Sequence, residues 1–360
     1  MMFVSKLTRI FDIMITNKYE LFLNKFDQSE WLTALNKLLP DVHAVDRNAV
    51  QIWFRFYPLA LHRFLQDAED KAVAVQKFVM QGNYELVNQI DSSHQFLYGH
   101  RFWTAVKNEI SKRAESFDNE NADLTEEIKS IARAAANQSK TTESLTICIA
   151  AVGLMTLTQV GFDAFKNAAG TIKTPTGLMK KSPDQIVRER AKDDSQGILG
   201  FLKTVDKQWT VRYDETANSG RFKLMNDEEI ASGAARDQSQ NWLEKDARCG
   251  EGVIPVECRS AACGTCWIGI LEGAEKLSDV GVRERKQMKI FGYNQPDDPK
   301  PILRLACQAQ AQGAVSIVIP PWNGVFGKKV YGNVEDVELE PATTSAAKLR
   351  ETIATATESN

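Results

Sequence analysis

Three of the chain's six cysteines lie within nine residues, and a fourth stands well apart from them. The spacing is Cys258-x4-Cys263-x2-Cys266, and Cys307 follows forty-one positions later in LRLACQAQ. In a reducing compartment, cysteines at such short spacing bind metals or carry redox chemistry more often than they form disulfides. We therefore predict that these four thiolates converge on a metal centre.

Four thiolates are the ligands of a [2Fe-2S] cluster, and C-x4-C-x2-C with a distant fourth cysteine is the plant-type spacing. A tight loop allows three sulfurs to converge, while a strand from elsewhere delivers the fourth. Backbone N–H groups must also approach the sulfurs, which requires small side chains between the cysteines. The small residues in this loop are Ser260, Ala261, Ala262, Gly264 and Thr265.

Other metal centres fit the sequence less well. A structural zinc site uses the same ligands but usually has two short hooks of paired cysteines, and only one such hook is present, so zinc stays an alternative. A Rieske centre needs two histidines beside two cysteines, and no histidine follows His100. The chain has no C-x2-C-x2-C-x3-C-P run for a four-iron cluster.

Residues from about 208 to 326 resemble a plant-type [2Fe-2S] ferredoxin domain. CRSAACGTCWIGILEG is similar to the cluster loop and following strand of that family, and RLACQAQAQGAVSIVIP is similar to its fourth-cysteine segment and final strand. The resemblance implies a β-grasp fold, one-electron transfer at low potential, and Cys258, Cys263, Cys266 and Cys307 as ligands. The gap between the third and fourth cysteines is longer than in compact plant proteins, and we assign the excess to the loop IFGYNQPDDPKP.

The two remaining cysteines carry less information. Cys249 lies nine residues before Cys258, and we interpret it as a half-buried residue at a helix end rather than a ligand or redox switch. Cys148 lies in an apolar segment and is predicted to be part of the core.

The chain of 360 residues is long enough for two globular domains with separate cores. Helical spacing of apolar residues, as in Leu61, Phe64 and Leu65, dominates residues 1–168. Residues 169–204, rich in Gly, Thr, Pro and Lys, are predicted to be a linker with one short helix around Ile186. The [2Fe-2S] domain would occupy 205–330, and 331–360 would form a flexible tail.

Within 205–330 the apolar period changes to two. Trp209, Val211 and Tyr213 alternate with polar residues and, with a turn at 218–220, predict a β-hairpin that ends with Phe222 and Leu224. One helical segment should begin near 226 and run past 243, followed by strands at 267–271, 302–306 and 314–319 and a helix near 278–290. We predict an α+β multidomain protein: an all-α N-terminal domain followed by a β-grasp domain.

Residues 144–162, SLTICIAAVGLMTLTQVGF, carry no charge, and their polar members are spread around a helix. They predict either a membrane-spanning helix or a helix buried in the N-terminal domain. Basic residues after 162 would place the cysteine domain on the cytoplasmic side of a membrane. The start of the chain, MMFVSKLTRIFDIMITNKYE, is typical of an amphipathic helix rather than an export signal, so we expect a cytoplasmic protein, with membrane association through 144–162 as an option.

The helical region offers no recognisable chemistry. His94 and His100 are six residues apart, and no Glu-x-x-His pair occurs, so we interpret them as hydrogen-bonded or surface histidines rather than haem or metal ligands. Aromatic residues such as Trp53 and Phe56 are predicted to belong to the core.

The net charge and the sequence motifs limit the classes of binding partner that we expect. The net charge is −3, which provides no strong positive field for nucleic acid. No G-x-G-x-x-G or other nucleotide signature occurs, so we do not expect the chain to be an enzyme by itself. We expect a one-electron carrier, or an electron-transfer subunit, whose partners are a reductase and an electron acceptor. The alternative is a redox sensor in which the helical domain responds to the state of the cluster.

Overall fold

The first half of the chain is helical, as the apolar spacing predicts. A computed structural model describes residues 17–78, 80–119, 121–198, 206–292 and 297–324. A local signal fixes the start of α2, where Asp27 accepts the N–H of Glu30, and Glu30 in turn accepts the N–H of Asp27. The helices of this half are α1 (Lys18–Leu23), α2 (Gln28–Leu38), α3 (Ala44–Phe56), α4 (Leu59–Asp67), α5 (Lys71–Lys77), α6 (Trp103–Ser116), α7 (Leu124–Ser139), α8 (Ile147–Val160), α9 (Phe162–Asn167) and α10 (Pro183–Ala191).

Helix α8 is the apolar segment for which a membrane span was one alternative. Its residues from Ile147 to Gln159 are buried inside the protein. Its polar side chains are satisfied internally: Thr156 Oγ1 donates to Val152 O at 2.7 Å, and Gln159 Nε2 donates to Tyr57 O at 2.8 Å. Among the described residues, no helix has both the length and the apolarity that a membrane span requires. Of the two alternatives, the structure shows the helix buried inside the protein.

The second half is built on a mixed five-stranded sheet. Its strands are β2 (Gln208–Arg212), β3 (Arg221–Met225), β5 (Trp267–Glu272), β6 (Leu303–Leu305) and β8 (Val315–Val318). Their order is β3-β2-β8-β5-β6, with β2 parallel to β8 and the other neighbours antiparallel. Two small sheets pair β1 (Gln81–Gly82) with β9 (Trp322–Asn323), and β4 (Glu228–Glu229) with β7 (Gln310–Ala311). The predicted α+β class, with a β-grasp-like mixed sheet, is confirmed.

Most predicted elements of this half are present. The hairpin pairs Trp209 with Leu224 and Val211 with Phe222, and the predicted second helix is α13 (Val282–Phe291). The single helix predicted from 226 past 243 is wrong. Two helices, α11 (Ile230–Arg236) and α12 (Trp242–Lys245), take its place. Between them, the carboxylate of Asp237 accepts the N–H of Ser239, a local turn that competes with helix continuation.

The expectation of a separate core for each half is also wrong. The main cluster of buried apolar residues runs without interruption from the helices into the sheet. Helix α3 packs on β5, where a Cβ on Gly269 would lie 2.5 Å from Cγ2 of Ile52. Strands β1 and β9 join the two halves through a short antiparallel ladder. The helical region and the sheet therefore share one interior.

The segment predicted as a linker contains the helix expected around Ile186, which is α10. Arg190 of α10 is buried and forms a two-pronged ion pair with Glu215, at 2.9 and 2.7 Å, and also donates to Val45 O of α3. The domain boundaries at 168, 204 and 330 stay predictions. The predicted tail at 331–360 and most of the predicted N-terminal amphipathic helix lie outside the described residues.

Candidate metal centre

The sheet positions the fourth cysteine beside the third. Cys266 directly precedes β5, and Cys307 lies two residues beyond the end of β6. These two strands pair antiparallel, with Trp267 opposite Leu305, and Ala306 N–H donates to Cys266 O at 2.9 Å. The pairing therefore brings Cys266 and Cys307 to the same end of the sheet, although they are distant in sequence.

The four predicted cysteines form two pairs. Cys263 N–H donates to Cys258 Sγ at 3.4 Å, and the pairing of β5 with β6 sets Cys266 beside Cys307. The neighbouring Cys263 side chain is the main reason why the pKa of Cys258 falls to about 4. In the other pair, the neighbouring Cys266 side chain lowers the pKa of Cys307. In each pair, proximity of the two sulfurs therefore favours a thiolate.

The loop backbone surrounds Cys258 Sγ with donors. The N–H groups of Ser260, Ala262 and Cys263 point at this sulfur at 3.4, 3.3 and 3.4 Å. Arg259 and Ala261 adopt left-handed φ values of 50° and 66°, which are uncommon for residues with a side chain. Such alternation turns successive N–H groups to one side and creates a concave site for an anion. The left-handed conformations of Arg259 and Ala261 therefore turn the loop N–H groups toward the thiolate of Cys258.

Side chains hydrogen-bond two of the other sulfurs. Thr265 Oγ1 lies 3.1 Å from Cys263 Sγ, and Gln308 Nε2 donates to Cys307 Sγ at 3.5 Å. Hydrogen bonds to the ligand sulfurs are among the features that set the reduction potential of an iron-sulfur centre.

The two pairs differ in depth. Cys266 and Cys307 are buried, with 2% and 6% of their surface exposed, whereas Cys258 and Cys263 are partly exposed. Electron exchange with another protein needs such an outer edge. The arrangement places one pair against the core and the other at the surface.

The donor set fits a [2Fe-2S] cluster. Such a cluster takes four cysteine thiolates as ligands, with N–H groups that hydrogen-bond the sulfurs. Cys258, Cys263, Cys266 and Cys307 would supply the thiolates, and three backbone N–H groups surround Cys258 Sγ. Among the described residues, no group of three or more His, Cys, Asp or Glu side chains is arranged to hold one metal ion.

A buried ion pair next to Cys307 was missed by the sequence reasoning. Arg304 of β6 and Glu284 of α13 are 0% and 1% exposed as side chains and form two bonds of 2.9 Å. Glu284 also accepts the N–H of Leu305 at 2.9 Å. The pair ties α13 to the strand that delivers Cys307. The signal in the sequence was an arginine in the middle of the otherwise apolar run ILRLAC.

The structure places the other two cysteines away from the pairs' hydrogen-bond network. Cys249 is buried rather than half-buried, and it lies four residues after the end of α12 rather than at a helix end. Its Sγ donates to Val253 O at 3.2 Å, and burial raises its pKa to about 12. Cys148 is buried in α8, near Asp46 O at 3.8 Å. Burial raises the pKa of Cys148 too, which is consistent with an inert core thiol.

His94 and His100 are buried partners, a contact that their spacing did not predict. Their Nδ1 atoms lie 2.9 Å apart. Lys173 N–H donates to His100 Nε2, so His100 carries its proton on Nδ1 and donates it to His94, whose Nε2–H then donates to Ile90 O. Both rings are neutral and hydrogen-bonded, in agreement with the expectation of satisfied histidines.

Comparison with known proteins supports the assignment of the C-terminal region. Residues 233–312 match the family model of the 2Fe-2S iron-sulfur cluster binding domain. The matched range contains all four predicted ligands. It confirms the predicted [2Fe-2S] cofactor and the capacity for iron-sulfur electron transfer in this part of the chain. No solved structure matches the chain.

Proposed function

We propose that the protein is a one-electron carrier, or an electron-transfer subunit, with a plant-type [2Fe-2S] cluster held by Cys258, Cys263, Cys266 and Cys307. The observation that carries this proposal is the placement of these four cysteines as two neighbouring pairs, one in the loop and one at the end of the β5–β6 pairing, within the matched family segment. The C-x4-C-x2-C spacing supports the plant-type assignment. When bound, the cluster supplies reversible one-electron chemistry.

The residues around the pairs support a carrier role. Three backbone N–H groups stabilise negative charge on Cys258, and Thr265 does so for Cys263. Cys266 and Cys307 lie in the protein interior, away from water. Cys258 and Cys263 are partly exposed, so a partner protein could contact the centre on that side. We propose that a reductase donates the electron here and that an acceptor protein or substrate receives it.

A second candidate function is a redox sensor, and one contact favours it. Phe56, at the end of α3, packs edge-on against Trp267, which follows Cys266 directly, with ring centroids 5.1 Å apart. A change in charge at the cluster would then reach α3 of the helical region through the residue that follows Cys266. In this case the helical surface, rather than an acceptor, would receive the signal.

The test combines composition with redox titration. Anaerobically purified protein should contain two irons and two acid-labile sulfides per chain and should accept one electron reversibly, with loss of visible absorption and gain of a paramagnetic signal. A colourless protein that contains zinc would contradict the proposal. Hydrogen exchange in the oxidised and reduced states separates the two candidates: a carrier keeps the same protection in the helical region, whereas a sensor changes it.

A further inference from the structure

A cavity of about 430 Å³ lies in the helical region, outside the metal centre. This is within the range of small-molecule sites, about 300–1,000 Å³. Its walls come from the end of α3, from α4, from the segment 84–87 and from the end of α8. Phe56, Leu61, Leu65 and Val160 give it an apolar interior, and Val87, which is 50% exposed, lies at its rim.

His62 is the polar group best placed to orient a ligand in this cavity. Its imidazole lines the cavity and has no hydrogen-bond partner among the described residues, whereas His94 and His100 are fully engaged. Burial, with Lys71 and Arg63 nearby, lowers the pKa of His62 to about 4, so the ring is neutral at physiological pH. A neutral imidazole can donate to a carbonyl oxygen without demanding a charged ligand.

Charge around the cavity disfavours an anionic ligand. Lys71 lines it but is paired with the carboxylate of Glu85, and Glu69 adds a negative charge. With His62 neutral, the described lining offers no cation that is free for a carboxylate or phosphate. An uncharged, largely apolar molecule with a hydrogen-bonding oxygen is the best match.

The cavity is also connected to the candidate metal centre by packed aromatic rings. Phe56 forms part of the cavity wall, and its ring is edge-on to Trp267, at 5.1 Å and 87°. Trp267 is bonded to Cys266 through the chain and packs on Trp322 at 5.1 Å, and the Trp322 indole N–H donates to Phe56 O. A molecule in the cavity is therefore separated from a proposed ligand by one pair of aromatic side chains.

We propose that this cavity binds a quinone, which accepts electrons from the cluster by way of the Trp267 and Phe56 contact. The inference rests on the proposed function, which supplies the electrons. A donor protein reduces the cluster twice in succession, and each reduction passes one electron to the quinone. Two electrons and two protons from solvent convert the two carbonyl groups to hydroxyl groups, giving a hydroquinone. His62 donates a hydrogen bond to one of the two oxygens.

The experiment uses the full-length, cluster-loaded protein and duroquinone, a fully substituted quinone that does not add to thiols. Calorimetry measures binding to the oxidised protein and to three variants. Val87→Trp blocks the rim, and His62→Leu removes the hydrogen bond. Val73→Trp is the matched control, because Val73 is 57% exposed and does not line the cavity.

We expect the parent protein and Val73→Trp to bind equally. Binding should be at least about tenfold weaker in Val87→Trp because the entrance is filled, and about fivefold weaker in His62→Leu, as for one lost hydrogen bond. After chemical reduction, duroquinone should reoxidise the cluster more slowly in Val87→Trp than in Val73→Trp, as followed by the return of visible absorption.

The inference is overturned if a reducible, cluster-loaded protein does not bind duroquinone, or if all variants bind it equally. It is also overturned if Val87→Trp weakens binding but leaves the reoxidation rate unchanged, because electrons would then leave by another route. These failures leave the carrier proposal standing. Absence of a cluster from the purified protein would instead refute the proposed function itself, whatever binds in the cavity.

Discussion

The ring of Phe56, at the end of α3, stands perpendicular to the indole of Trp267, at the start of β5, with centroids 5.1 Å apart and planes at 87°. Both side chains are 1% exposed. This edge-to-face contact joins the helical region to the residue that follows Cys266. It makes the cluster-binding part and the helical part structurally interdependent.

The first prediction concerns this contact. Phe56→Ala removes a buried aromatic ring from the shared core and should lower the free energy of unfolding by about 3–5 kcal/mol. Because the core is continuous, circular dichroism and cluster absorption should be lost in one transition at a lower denaturant concentration. Leu243→Ala, at a side chain that is 58% exposed, is the control and should change stability by less than about 0.5 kcal/mol. Two separate transitions would show that the halves fold independently.

The second prediction concerns the ligands. Cys307→Ser should abolish binding of iron and acid-labile sulfide, because a buried hydroxyl is a poor replacement for a thiolate beside Cys266. Cys249→Ser is the matched control and should keep a full cluster, since Cys249 donates to Val253 O rather than to any of the four sulfurs. The measurement is iron and sulfide content with the visible spectrum. Equal cluster content in both variants would remove Cys307 from the ligand set.

The third prediction concerns the loop backbone. Gly264 has a φ of +70°, and a Cβ there would lie 3.0 Å from the ring of Phe291. Gly264→Ala should therefore cost about 2 kcal/mol and speed the loss of cluster absorption in the presence of a chelator. Gly281→Ala is the matched control, because Gly281 has an ordinary φ and open space around it, and it should stay within about 1 kcal/mol of the parent. If the two variants lost cluster absorption at the same rate in the presence of the chelator, Gly264 would not be needed for the shape of the loop.

The fourth prediction concerns pH and the buried histidine pair. Burial, together with Lys173 and Arg101 and against the opposing charge of Asp91, lowers the pKa of His100 from 6.5 to about 4. Below pH 6.5 the unfolded chain takes up a proton that the folded protein does not. The free energy of unfolding is therefore unaffected by His100 at pH 7 and falls as the pH is lowered from 6.5 toward 4.

Between pH 7 and pH 5, His100 should lower the free energy of unfolding by about 2 kcal/mol. This difference is measured by denaturant unfolding of the parent and of His100→Gln at both pH values. The free energy of unfolding of the variant should depend less steeply on pH. The comparison cancels the opposite contribution of Asp46, whose pKa burial raises to about 6 and whose stabilisation is lost as pH rises through that value. Identical slopes in the two proteins would show that His100 becomes protonated in the folded state.

Local patterns predicted the cysteine domain well. Alternating apolar residues predicted the hairpin, and β3 is buried at every second residue, a pattern set by neighbours on the same strand. The three later strands were placed correctly too, and they are buried along nearly their whole length. The helix predicted from 226 past 243 failed because the turn at Asp237 competes with the helix through its own side chain. The buried helix α8 could be separated from a membrane span only once its polar side chains were seen to bond within the protein.

The sequence by itself determined the spacing of Cys258, Cys263 and Cys266 and the small residues between them, because these are properties of one short loop. Only the tertiary structure decided that Cys307 lies beside Cys266 and that Phe56 packs on Trp267. Each of these contacts joins segments whose separation along the chain carries no periodic signal. They form because strand pairing and burial of a common core bring distant residues together, and no local pattern encodes that.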